Sequence, residues 1–203
     1  GGGGWAVDSE PYRGHGGSVE DIQWSPSELE VFASCSSDQT VRIWDARKKK
    51  GSALDVKASD CDVNVISWNT KVPYLLASGD DKGEFKVWDL RSFQAGAVPV
   101  ASFSWHTQAI SSLQWNPNQP SMIAAAGADN QVTLWDLSLE RDSEAEAELL
   151  AQGMPVPDIP PQLIFIHQGQ KEVMEVRWHP QCPGVMGSTA ADGVHIFRPI
   201  NAA

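Results

Sequence analysis

Three histidines, His15, His106 and His167, lie among serines and aspartates, the residue types from which a hydrolase assembles a nucleophile and its base. A catalytic constellation occurs once in a chain, whereas these histidines recur in step with an internal repeat. They are therefore expected to hold the fold together, and the chain is read as a non-enzyme. His179 and Cys182 are spaced for metal binding, but no second pair has ligand spacing and a structural zinc site wants four ligands, so a turn is the expected reading. No glycine-rich loop has a phosphate-binding pattern. Neither a metal nor a cofactor is expected.

The charge balance narrows the partners. The 203 residues carry 26 acidic and 15 basic side chains, a formal net charge of −11. Such a surface repels a phosphate backbone and suits basic proteins, so no direct nucleic-acid binding is expected. At 41% hydrophobic and 20% charged residues the composition is globular. No apolar run approaches the roughly 18 residues of a membrane span, and residues 1–10 lack a basic region followed by an apolar one. Cys35, Cys61 and Cys182 suit a reducing compartment, cytosol or nucleus. The opening Gly1 to Gly4 without an initiator Met reads as a cut edge, so a piece of a longer protein is expected.

The elements that must position these side chains follow from tryptophan spacing. Trp24, Trp68, Trp115 and Trp178 are separated by 44, 47 and 63 residues, and Trp44, Trp88, Trp135 and Phe197 by 44, 47 and 62. Each unit opens on a β-rich run (Val19 to Trp24, Val63 to Trp68, Ile110 to Trp115, Val173 to Trp178) that ends in a polar turn. A second run rich in Ala, Ser and Gly follows: Val31 to Ser37, Tyr74 to Gly79, Met122 to Gly127 and Val185 to Ala190. A third run alternates, as in Val41, Arg42, Ile43 and Trp44. A period of about 40 to 45 residues closing on Trp-Asp predicts an all-β propeller with four-stranded blades.

These residues resemble the WD-repeat family over positions 14 to 198. The resemblance assigns Gly14-His15, Asp38 and Trp44 in the first unit, Asp81 and Trp88 in the second, where Ser59 replaces His, His106, Asp129 and Trp135 in the third, and His167, Asp192 and Phe197 in the fourth. In the family such residues form a buried hydrogen-bond network. The expected division is a linker and outer strand of a preceding blade at 1–13 and blades at 14–57, 58–104, 105–166 and 167–203, the last without its outer strand. Trp5 to Val7 sit where an outer strand belongs. The family implies seven blades, so four blades from the C-terminal part of a seven-bladed propeller are expected, with a closed four-bladed ring as the alternative. A partial ring is expected to expose two unpaired blade faces and to aggregate.

The period breaks in the third unit, where an insertion at 138–161 separates the third strand from the outer strand at Leu163 to Ile166. It carries Glu140, Asp142, Glu144, Glu146, Glu148 and Asp158 against Arg141, so 1 − 6 gives −5. Composition alone reads as a solvated, disordered loop. Its end, Ile159-Pro160-Pro161 with the run to His167, resembles histone-binding WD-repeat chaperones, in which an acidic loop ending in Pro-Pro helps hold a basic helix. Over the whole length the chain resembles the glutamate-rich WD-repeat family of ribosome-assembly factors, through Trp5-Ala6-Val7-Asp8, Ser18-Val19-Glu20-Asp21, 62–68 and 178–184. That family implies a nuclear and nucleolar protein escorting a basic client, large-subunit ribosomal protein three. A histone client is the alternative. Arg47 and Arg91, each two residues after a Trp-Asp Asp, resemble the box of cullin-ligase substrate receptors and imply a cullin-ligase adaptor as a further candidate partner. Ser143, three residues before Glu146, suits an acid-directed kinase.

Overall fold

Tryptophan-anchored strands build four antiparallel sheets in succession. The computed structural model describes residues 10–48, 50–156 and 158–200, so the expected strand at Trp5 to Val7 lies outside the described residues. The first sheet is β1 (Val19–Trp24), β2 (Val31–Ser36), β3 (Thr40–Asp45) and β4 (Leu54–Lys57); the second is β5 (Val63–Trp68), β6 (Leu75–Asp80), β7 (Glu84–Asp89) and β8 (Ala101–Ser104). The third is β9 (Ile110–Trp115), β10 (Met122–Gly127), β11 (Gln131–Asp136) and β12 (Leu163–His167), and the fourth β13 (Val173–Trp178), β14 (Met186–Ala190) and β15 (Gly193–Phe197). Within each sheet, strands pair in chain order. The second strands of the first and fourth sheets differ from the expected runs by one residue at an end, and that of the second sheet by one residue at each end.

The residue after each first-strand tryptophan makes the hairpin. Ser25 Oγ, Asn69 Oδ1, Asn116 Oδ1 and His179 Nδ1 each accept from the amides two and three residues on. His179 thus spends Nδ1 on its own turn, the role an Asn side chain fills elsewhere.

The core lies between sheets. Val41, Ile43 and Val56 pack on Ile66, Trp68 and Trp88 of the next sheet. Phe85 and Val87 pack on Trp115 and Trp135, and Val132 and Leu134 on Val176 and Trp178. This seam explains the small second-strand residues: a Cβ on Gly79 would stand 2.6 Å from Ile110 Cγ2, and Ala33, Ala77 and Ala125 are fully buried. Polar side chains stitch the first strands together. Gln23 donates to Ile66 O at 2.9 Å and accepts from Trp68 N at 2.9 Å, while Trp115 N donates to Ser67 Oγ at 3.1 Å. Among the described residues no such seam covers the two outermost faces: Val19, Ile22 and Trp24 of β1 are 54%, 55% and 61% exposed, and Ile196 of β15 is 72% exposed.

The acidic insertion contains a helix, α1 (Ser143–Ala151), where composition alone predicts disorder. Asp142 caps it, accepting from Glu144 N at 3.1 Å through Oδ1, with Glu144 and Glu146 in the first turn where the helix dipole favours negative charge. Gly153, at φ +72°, closes it, with Gly153 N bonded to Leu150 O and Met154 N to Leu149 O. The ends of the insertion are clamped: Asp136 N donates to Gln162 O at 2.8 Å, and Gln162 Nε2 to Leu139 O at 2.8 Å.

Candidate functional site

The histidine networks close on themselves. In the first sheet His15 meets Asp38 at 3.0 Å through Nδ1 and Ser34 Oγ at 2.7 Å through Nε2, and Trp44 Nε1 donates to the same hydroxyl at 2.7 Å. Burial pushes the Asp38 carboxyl up, but hydrogen bonds from Thr40, Gly16 and His15 outweigh it and hold Asp38 well below the usual carboxylate range. The third sheet repeats this with His106, Asp129, Thr133 and Trp135, the hydroxyl having moved from the second strand to the third. Each hydroxyl is buried and spends its hydrogen bonds on the imidazole and the indole, as a structural link requires.

The second and fourth sheets correct the expected assignments. Asp80, not Asp81, joins the second network: Ser59 Oγ donates to Asp80 Oδ2 at 2.7 Å, whereas exposed Asp81 accepts only a 3.3 Å bond from Asn64 among the described residues. Serine is shorter than histidine and meets an aspartate set back at the strand end. In the fourth sheet His167 does not meet Asp192. Gln170 takes the histidine place, accepting from Ser188 Oγ, and Asp192 accepts from Lys171 N at 3.2 Å. His167 ends the outer strand of the third sheet, opposite Val132, where the first and second sheets have Val56 and Phe103. It stacks on Phe197 at 4.2 Å and shares a 3.1 Å hydrogen bond with His195. Burial, then His195, pushes the His167 pKa down.

Arg47 and Arg91 occupy matching clasps. Arg47 Nε and Nη2 bond the two Asp45 oxygens at 2.8 and 2.9 Å. Arg91 bonds Asp89 likewise and stacks 3.9 Å over the Tyr74 ring. These bonds hold Asp45 and Asp89 below the usual carboxylate range. Both arginines are about two-thirds exposed, but each guanidinium already spends a fork on its own loop.

Glu140, Asp142, Glu144, Glu148 and Asp158 are exposed on the insertion. Glu146 is half-buried and pairs with Arg141 at 2.8 Å. Beside these acids stand apolar Leu139, Leu150, Met154 and Ile159, with Pro160 and Pro161 half-buried at the return to β12. An acidic, partly apolar ledge fixed at both ends to a rigid sheet can bind a basic amphipathic segment. The insertion's charge was legible in sequence. Its helix was missed, although Asp142 and Gly153 are ordinary start and stop signals.

Sheets in sequence order, cores at the seams and Trp-Asp strand ends define a WD-repeat β-propeller, and the family model "WD domain, G-beta repeat" matches residues 8–45 and 97–136. Over 203 residues the chain is 54% identical to "Ribosome assembly protein rrb1" of Schizosaccharomyces pombe, covering 98% of this chain and 42% of the relative. It is 54% identical over 198 residues to "Glutamate-rich WD repeat-containing protein 1" of Dictyostelium discoideum, covering 98% and 41%. "Histone-binding protein MSI1" of Saccharomyces cerevisiae is more distant, 31% identical over 188 residues, covering 91% and 39%. The chain belongs to the WD-repeat proteins and, within them, to the glutamate-rich group. It spans about two fifths of the length of the curated relatives it matches.

Proposed function

We propose that the protein is a non-enzymatic scaffold of ribosome assembly, acting in the nucleus and nucleolus, that shields a basic large-subunit ribosomal protein, ribosomal protein three, until it reaches its RNA. One observation carries this reading: the −5 insertion is folded and clamped to a propeller whose close relative is named for ribosome assembly. A new ribosomal protein is a polycation that binds any polyanion it meets. Carboxylates on the ledge neutralise its Lys and Arg side chains, raise the encounter rate and make affinity fall with salt. Leu150, Met154 and Ile159 supply apolar contact that orients the client. Deleting 140–158 from the full-length protein tests this. Retention of the ribosomal protein from cells should fall and be salt-sensitive in the parent; unchanged retention would overturn the ledge as its site.

A histone client is the second reading, favoured by the Pro160-Pro161 return and the 31% identical histone-binding relative. Competition between histone and ribosomal protein for the same preparation separates the two. A cullin-ligase adaptor contacting Arg47 and Arg91 is a third reading, favoured by their matching clasps on Asp45 and Asp89 and by the two-thirds exposure of both side chains.

A further inference from the structure

Three connections join a third strand to an outer strand, and their charges differ in kind. Residues 90–100 carry Arg91 alone, and residues 138–161 are −5, but residues 46–53 hold Arg47-Lys48-Lys49-Lys50 and no acid. Four of the chain's 15 cations thus fall in four consecutive positions of an acidic protein. Elsewhere cations stand singly, some matched to carboxylates, as in Lys57 with Asp60, Arg141 with Glu146 and Arg177 with Glu175, and others, such as Lys71 and Lys171, with no ion pair among the described residues. Lys50 has no ion-pair partner among the described residues, and Lys48 reaches Asp45 only at 3.6 Å while remaining 77% exposed. Arg47, Lys48 and Lys50 are all exposed; Lys49 lies outside the described residues.

We propose that Arg47-Lys48-x-Lys50 is a nuclear import sequence, bound by a carrier whose groove presents carboxylates to a run of cations. This inference rests on the nuclear location proposed above. Three observations favour a carrier over a phosphate backbone. The bases are contiguous in sequence, as a groove that binds one extended segment requires, rather than spread over a face. The segment is tied at its ends and lightly between them: Ala46 N bonds Glu30 O, Arg47 N and Lys48 N bond Asp45, Ala53 N bonds Ile43 O, and among the described residues between them the backbone has one bridge, from Lys50 to Arg13, to release. Gly51, at φ +76° with nothing within 4 Å of where a Cβ would stand, leaves room for it to lift. The net charge of −11 opposes nucleic acid at long range but does not oppose an acidic groove that contacts only the run and is itself screened beyond about 8 Å.

Arg13 makes the test decisive, because the bridge to Lys50 puts it at the same corner while it stands 34 residues from Arg47 in sequence. A carrier that takes up an extended segment has no use for Arg13; a folded surface for phosphates does. Full-length protein carrying K48A/K50A, or R13A alone, is compared with the parent for nuclear-to-cytoplasmic ratio and for binding of the purified import adaptor. Arg47 is left in place so that Asp45 keeps its clasp, and melting curves check the fold. The expected result is about ten-fold weaker adaptor binding and loss of nuclear accumulation for K48A/K50A, with R13A like the parent. Unchanged adaptor binding by K48A/K50A overturns the proposal, and so does an equal loss for R13A, which would assign the corner to a polyanion such as RNA. A parent found outside the nucleus sinks the proposed location, while adaptor binding still decides the import sequence.

Discussion

Thr133→Val is the sharpest probe of the buried networks. Thr133 is fully buried, and its hydroxyl sits 2.8 Å from both Trp135 Nε1 and His106 Nε2. With His106 Nδ1 donating to Asp129, the proton order runs from the indole to the hydroxyl to His106 Nε2. Valine keeps the shape but strands one donor and one acceptor. At about 1–3 kcal/mol for each buried unsatisfied group, the loss is roughly 2–6 kcal/mol. Ser78→Ala in the second sheet strands only Trp88 Nε1, bonded at 2.9 Å, because Ser59 meets Asp80 instead of Ser78. Its loss is therefore about half as large, roughly 1–3 kcal/mol. Denaturant unfolding of the full-length protein, followed by tryptophan fluorescence, measures both, and Thr133→Ser should recover most of the stability. Equal costs for the two variants, or a Thr133→Val cost under about 1 kcal/mol, would refute the view that the hydroxyl links indole to imidazole.

Three further outcomes are expected. The depressed His167 pKa means that the folded state favours neutral imidazole, so its contribution to stability is complete above the ordinary value of 6.5 and is lost as pH falls below it; His167→Phe, which restores the aromatic contact seen at Phe103, should flatten that acid limb in pH-dependent unfolding. Changing Glu140, Glu144 and Glu148 to Gln should weaken a basic client about 10- to 100-fold at low salt, from roughly 0.5–1 kcal/mol per exposed carboxylate, and calorimetry at high salt should show the difference shrinking. Asp142→Ala removes the α1 cap, costs that helix about 1 kcal/mol and should lower ellipticity at 222 nm, since a nine-residue helix has little stability to spare.

The fold was legible where one residue type does one job. Trp24, Trp68, Trp115 and Trp178 each end a first strand, and the four first strands begin and end where alternation and turn residues placed them. The networks were less legible because partners trade places: the hydroxyl is Ser34 on a second strand but Thr133 on a third, and Gln170 replaces a histidine without any motif to announce it. His167 looked like a network residue by type, yet it stands 11 residues before Trp178, where His15, Ser59 and His106 stand nine before their tryptophans, and strand register places it opposite Val132. At the insertion, net charge masked local capping chemistry. Asp142 and Gly153 specify a short helix even in a segment whose composition reads as disordered.

Because the large apolar clusters lie between neighbouring sheets, the four sheets make three cores among the described residues. The cooperative unit is thus the seam, half of it contributed by each neighbour, and no sheet owns the interactions that keep it folded. Damage at Trp135 is felt in two sheets at once, through Phe85 and Phe103 of the preceding sheet at ring distances of 5.2 and 4.8 Å and through Thr133 of its own at 2.8 Å. Unfolding in such a molecule spreads from any sheet to its neighbours, and a cut placed neatly between two blades divides a core in half.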